Sequence, residues 1–268
     1  MHLPRAAVRV VDLSVTLSEE LPAAWPGHMP FAHPTWNWYA PLKAATGRVR
    51  CDGPYRTNFL VLDEHTGTHV DGPTHFIPPP DSGLPWASPL GDQSTEHLDL
   101  EQMCGPAVVV DVRHLVGSGG AGRSPFIEPA HLAAFEREHG EFVPGEVVLF
   151  HSDWDRWYVE GPGNRPFLHG PLVLQSSPGW PAPSPAAMLL LHDRGVRAVG
   201  TDGPSMGAVH DGAPVHQEGL SRGMLFVEML TGLGQLPPRG AYFLFLPLKL
   251  AGGTGGPGRA VALLAADD

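Results

Sequence analysis

One twelve-residue stretch, from His65 to Phe76, constrains this chain more than any other. It contains His-Thr-Gly-Thr-His-Val-Asp-Gly-Pro-Thr-His-Phe. Imidazole and carboxylate are ligand types that suit zinc, manganese and related divalent metals. The stretch is a poor helix former, because its β-branched residues alternate with glycines and a proline. The alternative is a polar loop in which histidines cluster by chance, since the chain contains 15 of them.

An extended conformation suits this stretch better than a helix. His65, His69, Asp71 and His75 share parity and would face one side of a strand. A straight strand would place His65 and Asp71 roughly 20 Å apart, which is too far for two ligands of one metal. We therefore predict a strand that bends at Gly67 and at Gly72-Pro73 and curls around a metal, with Asp71 and His75 delivered by a turn.

This arrangement predicts a catalytic metal site. An ion held by His65, His69 and Asp71 would keep an open position, as catalytic sites do. Water in that position has its pKa lowered towards about 7, which gives a hydroxide able to attack a carbonyl carbon. His75 is predicted to transfer the proton that the leaving nitrogen of an amide needs. The alternative is that His75 is a further metal ligand.

A second carboxylate lies inside an apolar run, because Glu228 falls within residues 224–230. Burying a carboxylate without a partner is costly. Glu228 therefore needs a cation or must be neutral, unless it caps a segment or pairs with an arginine. Metal binding is the interpretation we favour.

Length and charge limit the possible classes of protein. The chain has 268 residues, enough for one domain with a sizeable core, and we predict a single domain over residues 1–268. Its net charge of −11 and the lack of a basic cluster argue against binding to nucleic acid or to an anionic membrane. No signal-peptide pattern and no apolar run of about 20 residues is present, which predicts a cytoplasmic protein. Cys51 and Cys104 are expected to be free thiols.

The pattern of apolar residues predicts a strand-rich α/β domain with few helices. Helices are expected from Pro129 to about Glu138 and from Pro185 to about Arg194. Residues 77–96 form either a lid or an ordinary surface loop. Four aromatic residues before the motif are expected in the core, namely Phe31, Trp36, Trp38 and Tyr39. The alternative is that they line a substrate pocket beside the metal site. Strands are predicted at 8–16, 56–63, 107–112, 147–151, 196–200, 224–229, 241–250 and 259–265, with a loop at 252–258.

The motif resembles the signature of the metal-dependent cyclase family, which includes bacterial kynurenine formamidases and isatin hydrolases. The resemblance extends to Gly-Val-Arg-Ala-Val-Gly-Thr-Asp at 195–202 and to the glycine-rich stretch before Arg259. It implies the swivelling β/β/α fold of that family. The fixed positions that match are His65, Gly67, Thr68, His69, Asp71, Pro73, His75 and Phe76.

The resemblance also implies further site residues. Formamidases of the family bind a second metal through a later histidine and a glutamate twelve residues beyond it, which here correspond to His216 and Glu228, although His210 is close enough to compete. Asp71 and Glu228 would bridge two ions. Trp25, within Trp-Pro-Gly, corresponds to a tryptophan that contacts substrate. The family assigns proton transfer to the position of His75 and forms homo-oligomers, so we expect a dimer or tetramer. Histidine and carboxylate ligands without cysteine suit Zn²⁺ and Mn²⁺ alike, so we expect one or two of these ions per chain.

These features predict a metal-dependent hydrolase that cleaves a C–N amide bond in a small molecule. N-formylkynurenine, a formamide, and isatin, a cyclic amide, are the model substrates. One alternative is a cyclase or dehydratase that acts on a biosynthetic intermediate with the same metal and His75. Another is a non-catalytic metal-binding homologue, although binding alone would not need the proton-transfer group.

Overall fold

The computed structural model describes residues 8–39 and 53–265, and its main feature is a mixed sheet of eight strands. Twelve strands and three α-helices, numbered here in chain order, make up the regular structure of the described residues. In spatial order the main sheet contains β1 (Val8–Asp12), β12 (Gly255–Ala265), β11 (Ala241–Pro247), β5 (Cys104–Asp111), β7 (Val147–His151), β9 (Ala198–Thr201), β10 (Leu225–Glu228) and β4 (His69–Asp71).

The main sheet closes on itself through β12. The first residues of this strand, from Gly255 to Pro257, pair antiparallel with β4. Its later residues pair with β11 and β1. The short strand β4 also pairs with β10 on its other edge. The motif strand is therefore held on both sides within a barrel-like sheet.

Both faces of the central strands are buried. Alternation along β5 sends Val109 to one apolar cluster, with Leu149 and Phe243, and Val108 to another. The second cluster lies between the sheet and the helices and includes Phe226. Burial on both faces explains why these strands are continuous apolar runs rather than alternating ones.

Two of the three helices match the sequence prediction. A third helix was not predicted, because Pro214 and Gly219 make its sequence resemble a loop. Proline is tolerated in the first helical turn. Glycine at 219 admits the Phe226 ring, since a Cβ there would lie 2.4 Å from Cζ of Phe226. The helices are α1 (Pro129–His139), α2 (Pro185–Asp193) and α3 (Ala213–Leu220).

The predicted aromatic core before the motif is only partly present. Phe31 is buried. The other three residues lie on or beside a two-stranded arm, formed by β2 (Thr35–Trp38) and β3 (Arg56–Asn58), that pairs outside the main sheet. Two strands alone leave much of their surface uncovered. The core prediction was therefore wrong for the exposed side chains Trp36, Trp38 and Tyr39.

Several strand boundaries also differ from those predicted. The strand predicted at 8–16 ends at Asp12, the one at 56–63 ends at Asn58, and the one at 241–250 ends at Pro247. The stretch 252–258 was predicted as a loop, but β12 already begins at Gly255. Glycine is depleted in strands in general, and here it is needed because another residue packs against the backbone. A short separate parallel pair joins β6 (Phe126–Ile127) to β8 (Ala182–Pro183).

Two further observations concern sequence predictions. Over residues 8–39 and 53–265, no helix is both long enough and apolar enough to cross a membrane. Cys104 is a free cysteine. Cys51 lies outside the described residues.

Candidate metal centre

A tight turn at Gly67 brings His65 beside His69. Gly67 has φ of +61°, in the left-handed region that favours glycine. A Cβ at this position would lie 2.3 Å from Cδ2 of Leu17. The imidazole centroids of His65 and His69 are 5.1 Å apart. The predicted bend at Gly67 is therefore present.

The rest of the motif follows a different path from the predicted one. His69 and Asp71 lie on β4, with Val70 between them packed in the apolar cluster on the opposite face. His75 ends a short 3₁₀-helix, Pro73–His75, that begins where proline stops the strand. His65 precedes β4 and His75 follows it, so the shared parity of the four polar residues does not place them on one strand face, and His75 lies outside the strand as predicted. Asp71 comes from the strand and not from a turn.

Glu228 enters the site from the neighbouring strand. β10 pairs with β4 so that Glu228 lies opposite His69, and its Oε2 is 3.5 Å from Nε2 of His69. Its Oε1 accepts the backbone N–H of Met206 at 2.6 Å and lies 3.3 Å from Nε2 of His216. Within the described residues no arginine forms an ion pair with this buried carboxylate.

His216, and not His210, faces the carboxylates. It lies on α3, its Nδ1–H donates to the carbonyl of Gly212 at 2.7 Å, and its Nε2 is 3.4 Å from Oδ2 of Asp71. Its ring stacks on Phe76 with centroids 4.3 Å apart. His210 instead accepts the backbone N–H of Ser124 at 3.3 Å. Of the two histidines considered from the sequence, His216 is therefore the one whose position allows it to share a metal with Asp71 and Glu228.

Two groups of three side chains could each hold a metal ion. In each group the candidate ligand atoms lie within 4.8 Å of one another, and Asp71 belongs to both. Nδ1 of His65 and Nε2 of His69 are 2.8 and 3.3 Å from Oδ1 of Asp71. The first group is His65, His69 and Asp71, and the second is Asp71, His216 and Glu228.

The electrostatics of the cluster require positive charge. Burial alone would lower the pKa of His216, but its contacts with Asp71 and Glu228 outweigh burial and raise the pKa to about 10. The pKa of His69 is also raised, because its contacts with Asp71 and the charge of Glu228 oppose its burial. The pKa of Asp71 lies well below its usual range, since the surrounding imidazoles outweigh the effect of burial. Without a metal, protons on these imidazoles supply the positive charge, and a divalent ion would replace those protons on binding.

One buried carboxylate oxygen in this cluster has an ion-pair contact, with Nε2 of His216 at 3.4 Å, but no hydrogen bond. Among the described residues, Oδ2 of Asp71 makes no hydrogen bond, although Asp71 is 1% exposed. An unsatisfied buried carboxylate oxygen is costly. The donor set of imidazoles and carboxylates without cysteine suits Zn²⁺ or Mn²⁺. The residues present therefore fit a divalent metal.

A cavity of about 260 Å³ opens beside the cluster. Trp25 lines it and packs edge-to-face on Trp180, with centroids 6.1 Å apart. His75 also lines it, and its ring stacks on His65 at 3.9 Å. Burial lowers the pKa of His75 to about 4. The polar lining of the cavity comes from His28, His65, His69, His75, Ser205, His216 and Glu228. Its apolar lining includes Trp25, Phe76, Pro204, Ala208, Val209 and Met229.

Residues 77–96 contact the glycine-rich stretch instead of this cavity. None of them is among the described residues that line the cavity. Thr95 donates its hydroxyl to the carbonyl of Gly255 at 2.9 Å, and the Glu96 carboxylate accepts from the N–H of Gly252. These contacts favour the surface-loop interpretation over the lid.

Sequence reasoning did not predict which residues hold the candidate ligands in place through hydrogen bonds. Thr68 donates its hydroxyl to the carbonyl of Met229 at 2.6 Å, next to Glu228. Met229 has φ of +54°, an uncommon conformation for a residue with a side chain. Thr254 contacts His65 through its hydroxyl. The available signals were a threonine inside the motif and a lone threonine inside a glycine-rich stretch.

Gly255→Ala is expected to disturb the centre by steric contact. A Cβ at 255 would lie 2.6 Å from both Cε1 of His65 and the carbonyl oxygen of Val70. The oxygen belongs to the β4 backbone, so it cannot move without disturbing the pairing with β12. We expect a loss of about 1–3 kcal/mol in the free energy of unfolding, measured by denaturant titration, together with reduced metal content.

Gly120→Ala is the matched control for this substitution, since a Cβ there would approach nothing closer than Cδ of Arg123 at 3.9 Å. It should leave both quantities unchanged. Wild-type stability and metal content in Gly255→Ala would contradict the steric argument.

Comparison with known proteins agrees with this geometry. The family model Cyclase matches residues 11–208. An isatin hydrolase of Roseibium aggregatum is 34% identical over 221 residues, which cover 80% of this chain and 77% of that protein. A kynurenine formamidase of Salinibacter ruber is 29% identical over 253 residues, which cover 94% of this chain and 96% of that protein. The crystal structure of an isatin hydrolase bound to the product analogue thioisatinate is similar with a TM-score of 0.76 and 26% identity, over 97% of this chain and 93% of that one.

These matches extend well beyond the motif. The family model covers most of the chain and contains the whole stretch from His65 to Phe76. The structural similarity covers nearly all of both chains and confirms the predicted strand-rich α/β fold class. The sequence prediction of the family is confirmed as well, and the chain belongs to the cyclase family.

Proposed function

We propose that this protein is a metal-dependent hydrolase that cleaves a C–N amide bond in a small molecule. The observation that carries the proposal is the convergence of three imidazoles and two buried carboxylates in one cluster beside the cavity, with Oδ2 of Asp71 left without a hydrogen bond. Membership of the cyclase family and similarity to an isatin hydrolase and a kynurenine formamidase support it. Formamides and cyclic amides are the substrate classes proposed.

The metal would be held by the residues of the two groups. His65, His69 and Asp71 would bind one divalent ion, and His216 and Glu228 would bind a second that shares Asp71. Zn²⁺ and Mn²⁺ are the ions proposed, with one or two per chain. Such an ion supplies Lewis-acid polarisation of a carbonyl and acidification of water.

His75 is proposed as the proton-transfer residue. It lines the cavity and belongs to neither group of candidate ligands. Among the described residues neither of its ring nitrogens has a hydrogen-bond partner, so both are available to a substrate or to water. A neutral imidazole there can accept a proton from the attacking water and return it to the leaving nitrogen.

Trp25 is proposed to contact the substrate. Its indole lines the cavity and is fixed against Trp180, whose own N–H donates to the carbonyl of Gly207 at 2.9 Å. Together with Phe76 and Met229 it forms an apolar wall suited to the flat body of an aromatic amide. The single domain, the cytoplasmic location and the homo-oligomer stay predictions from the sequence.

The test is metal analysis combined with substrate turnover. Protein purified without added metal should contain between one and two divalent ions per chain by elemental analysis. Added to isatin or N-formylkynurenine, it should open the C–N bond, and a chelator should abolish that activity. Ring closure or loss of water without amide cleavage would favour the cyclase or dehydratase alternative. Bound metal without turnover of any carbonyl substrate would favour the non-catalytic homologue.

A further inference from the structure

The three candidate imidazole ligands each use one ring nitrogen towards the carboxylates and the other towards a fixed partner. For His69 that partner is the carbonyl of Gly67, at 2.7 Å from Nδ1. For His216 it is the carbonyl of Gly212, also at 2.7 Å from Nδ1. A carbonyl oxygen only accepts, so both residues keep a proton on Nδ1, and Nε2 is the nitrogen that they can offer to a metal. His65 lacks such a carbonyl partner among the described residues.

Nε2 of His65 lies 3.0 Å from Oγ1 of Thr254 instead. A hydroxyl can either donate or accept, so this contact alone does not decide which nitrogen of His65 is protonated. Glu64 decides it. Its Oε2 lies 2.7 Å from Oγ1 of Thr254 and also accepts the backbone N–H of Thr254 at 2.7 Å.

The direction of this hydrogen-bond chain follows from the acceptor at its end. A carboxylate only accepts, so the Thr254 hydroxyl donates to Glu64 and offers a lone pair to His65. Nε2 of His65 must then carry the proton. The lone pair of Nδ1 consequently faces Oδ1 of Asp71 at a distance of 2.8 Å. Two lone-pair atoms so close need a positive charge between them, which is a proton on Nδ1 in the absence of metal and the metal ion when it is bound.

The backbone around Thr254 holds this chain in place. The carbonyl of Thr254 accepts the N–H of Gly72 at 2.9 Å, at the end of the motif strand. The next residue, Gly255, has no side chain, and the His65 ring occupies the space that a Cβ would need. Thr254 is thus placed by β4 and β12 together.

We propose that Glu64 and Thr254 are positioning residues that fix the Nε2–H tautomer of His65 and so present its Nδ1 to the metal. This inference rests on the proposed metal-dependent function. Groups that orient metal-ligating histidines through their second nitrogen raise metal affinity in proteins generally. Here the orienting group is a side-chain pair, which substitution can remove without touching a ligand.

The experiment compares metal affinity in four variants. Thr254→Val keeps the side-chain shape and removes the hydroxyl, Thr254→Ser keeps a hydroxyl, and Glu64→Gln replaces the obligate acceptor by a group that can also donate. Thr231→Val is the matched control, because Thr231 makes the same kind of bond to the carboxylate of Asp155, at 2.6 Å, outside the cavity lining. Dissociation constants for Zn²⁺ and Mn²⁺ are measured by chelator competition on metal-stripped protein, beside its melting temperature.

We expect Thr254→Val and Glu64→Gln to weaken metal binding by about 10–100-fold, while Thr254→Ser and Thr231→Val bind as wild type does. A melting temperature of metal-stripped Thr254→Val equal to that of Thr254→Ser would confirm that the loop still folds. Metal affinity unchanged in Thr254→Val would overturn the inference, and a lowered melting temperature with that result would assign Thr254 to loop stability alone. Wild-type protein that binds neither metal would instead overturn the proposed function.

Discussion

Asp71→Asn is expected to remove the metal and to lower kcat/KM by about 10³-fold or more, since the charge stabilisation that a metal supplies is worth several kcal/mol. Asp71 is the one residue common to both candidate groups, and its two oxygens face different imidazoles. Asparagine keeps the shape of the side chain but removes the negative charge. Elemental analysis and steady-state kinetics on an amide substrate measure the two effects.

Asp202→Asn is the matched control, because Asp202 is also a fully buried aspartate. Its carboxylate accepts the backbone N–H groups of Ser152 and Asp153, and burial raises its pKa to about 7. This substitution should lower stability, because an amide NH₂ cannot accept from those donors, but it should leave the metal content unchanged. Retention of metal in Asp71→Asn would remove Asp71 from the centre.

His75→Ala is expected to retain the metal and to lose about 10²–10⁴-fold in kcat, the usual contribution of a positioned proton-transfer group. The reason is geometric, since His75 lies on the cavity wall without a hydrogen-bond partner among the described residues and outside both ligand groups. Metal content and kcat should therefore separate in this variant, whereas they fall together in Asp71→Asn.

His210→Ala serves as the control for His75→Ala. This histidine contacts Ser124 and packs on Phe126, with ring centroids 5.4 Å apart. Removing it should leave metal content and kcat close to wild type. If His75→Ala loses the metal, His75 is a ligand, and the alternative considered from the sequence is correct.

The centre was predictable from sequence where the signal is local. The ligand types, the bend at Gly67 and the need of Glu228 for a cation all follow from chemistry within a few residues. The path of the motif was not predictable, because β4 has only three residues and its limits are set by its partners β10 and β12. Alternation along a sequence indicates one strand face only where the strand continues.

Tertiary contacts decided the elements that sequence reasoning missed. The start of β12 at Gly255 depends on the His65 ring and the β4 backbone, neither of which is near it in sequence. The helix that carries His216 contains a proline and a glycine, and its propensity is overridden by packing against Phe226. The aromatic residues Trp36 and Trp38 suggested a buried core, but their side chains are exposed because their strand pairs outside the main sheet.

The closure of the sheet by β12 has a consequence for biosynthesis. His65 and Thr254 are separated by 189 residues, so at a synthesis rate of about 5–20 residues per second the second leaves the ribosome about 10–40 s after the first. Throughout that interval the nascent chain displays the motif histidines and Asp71 without the strand that closes one edge of β4. The cluster of candidate ligands therefore reaches the geometry described above only after β12 has been translated.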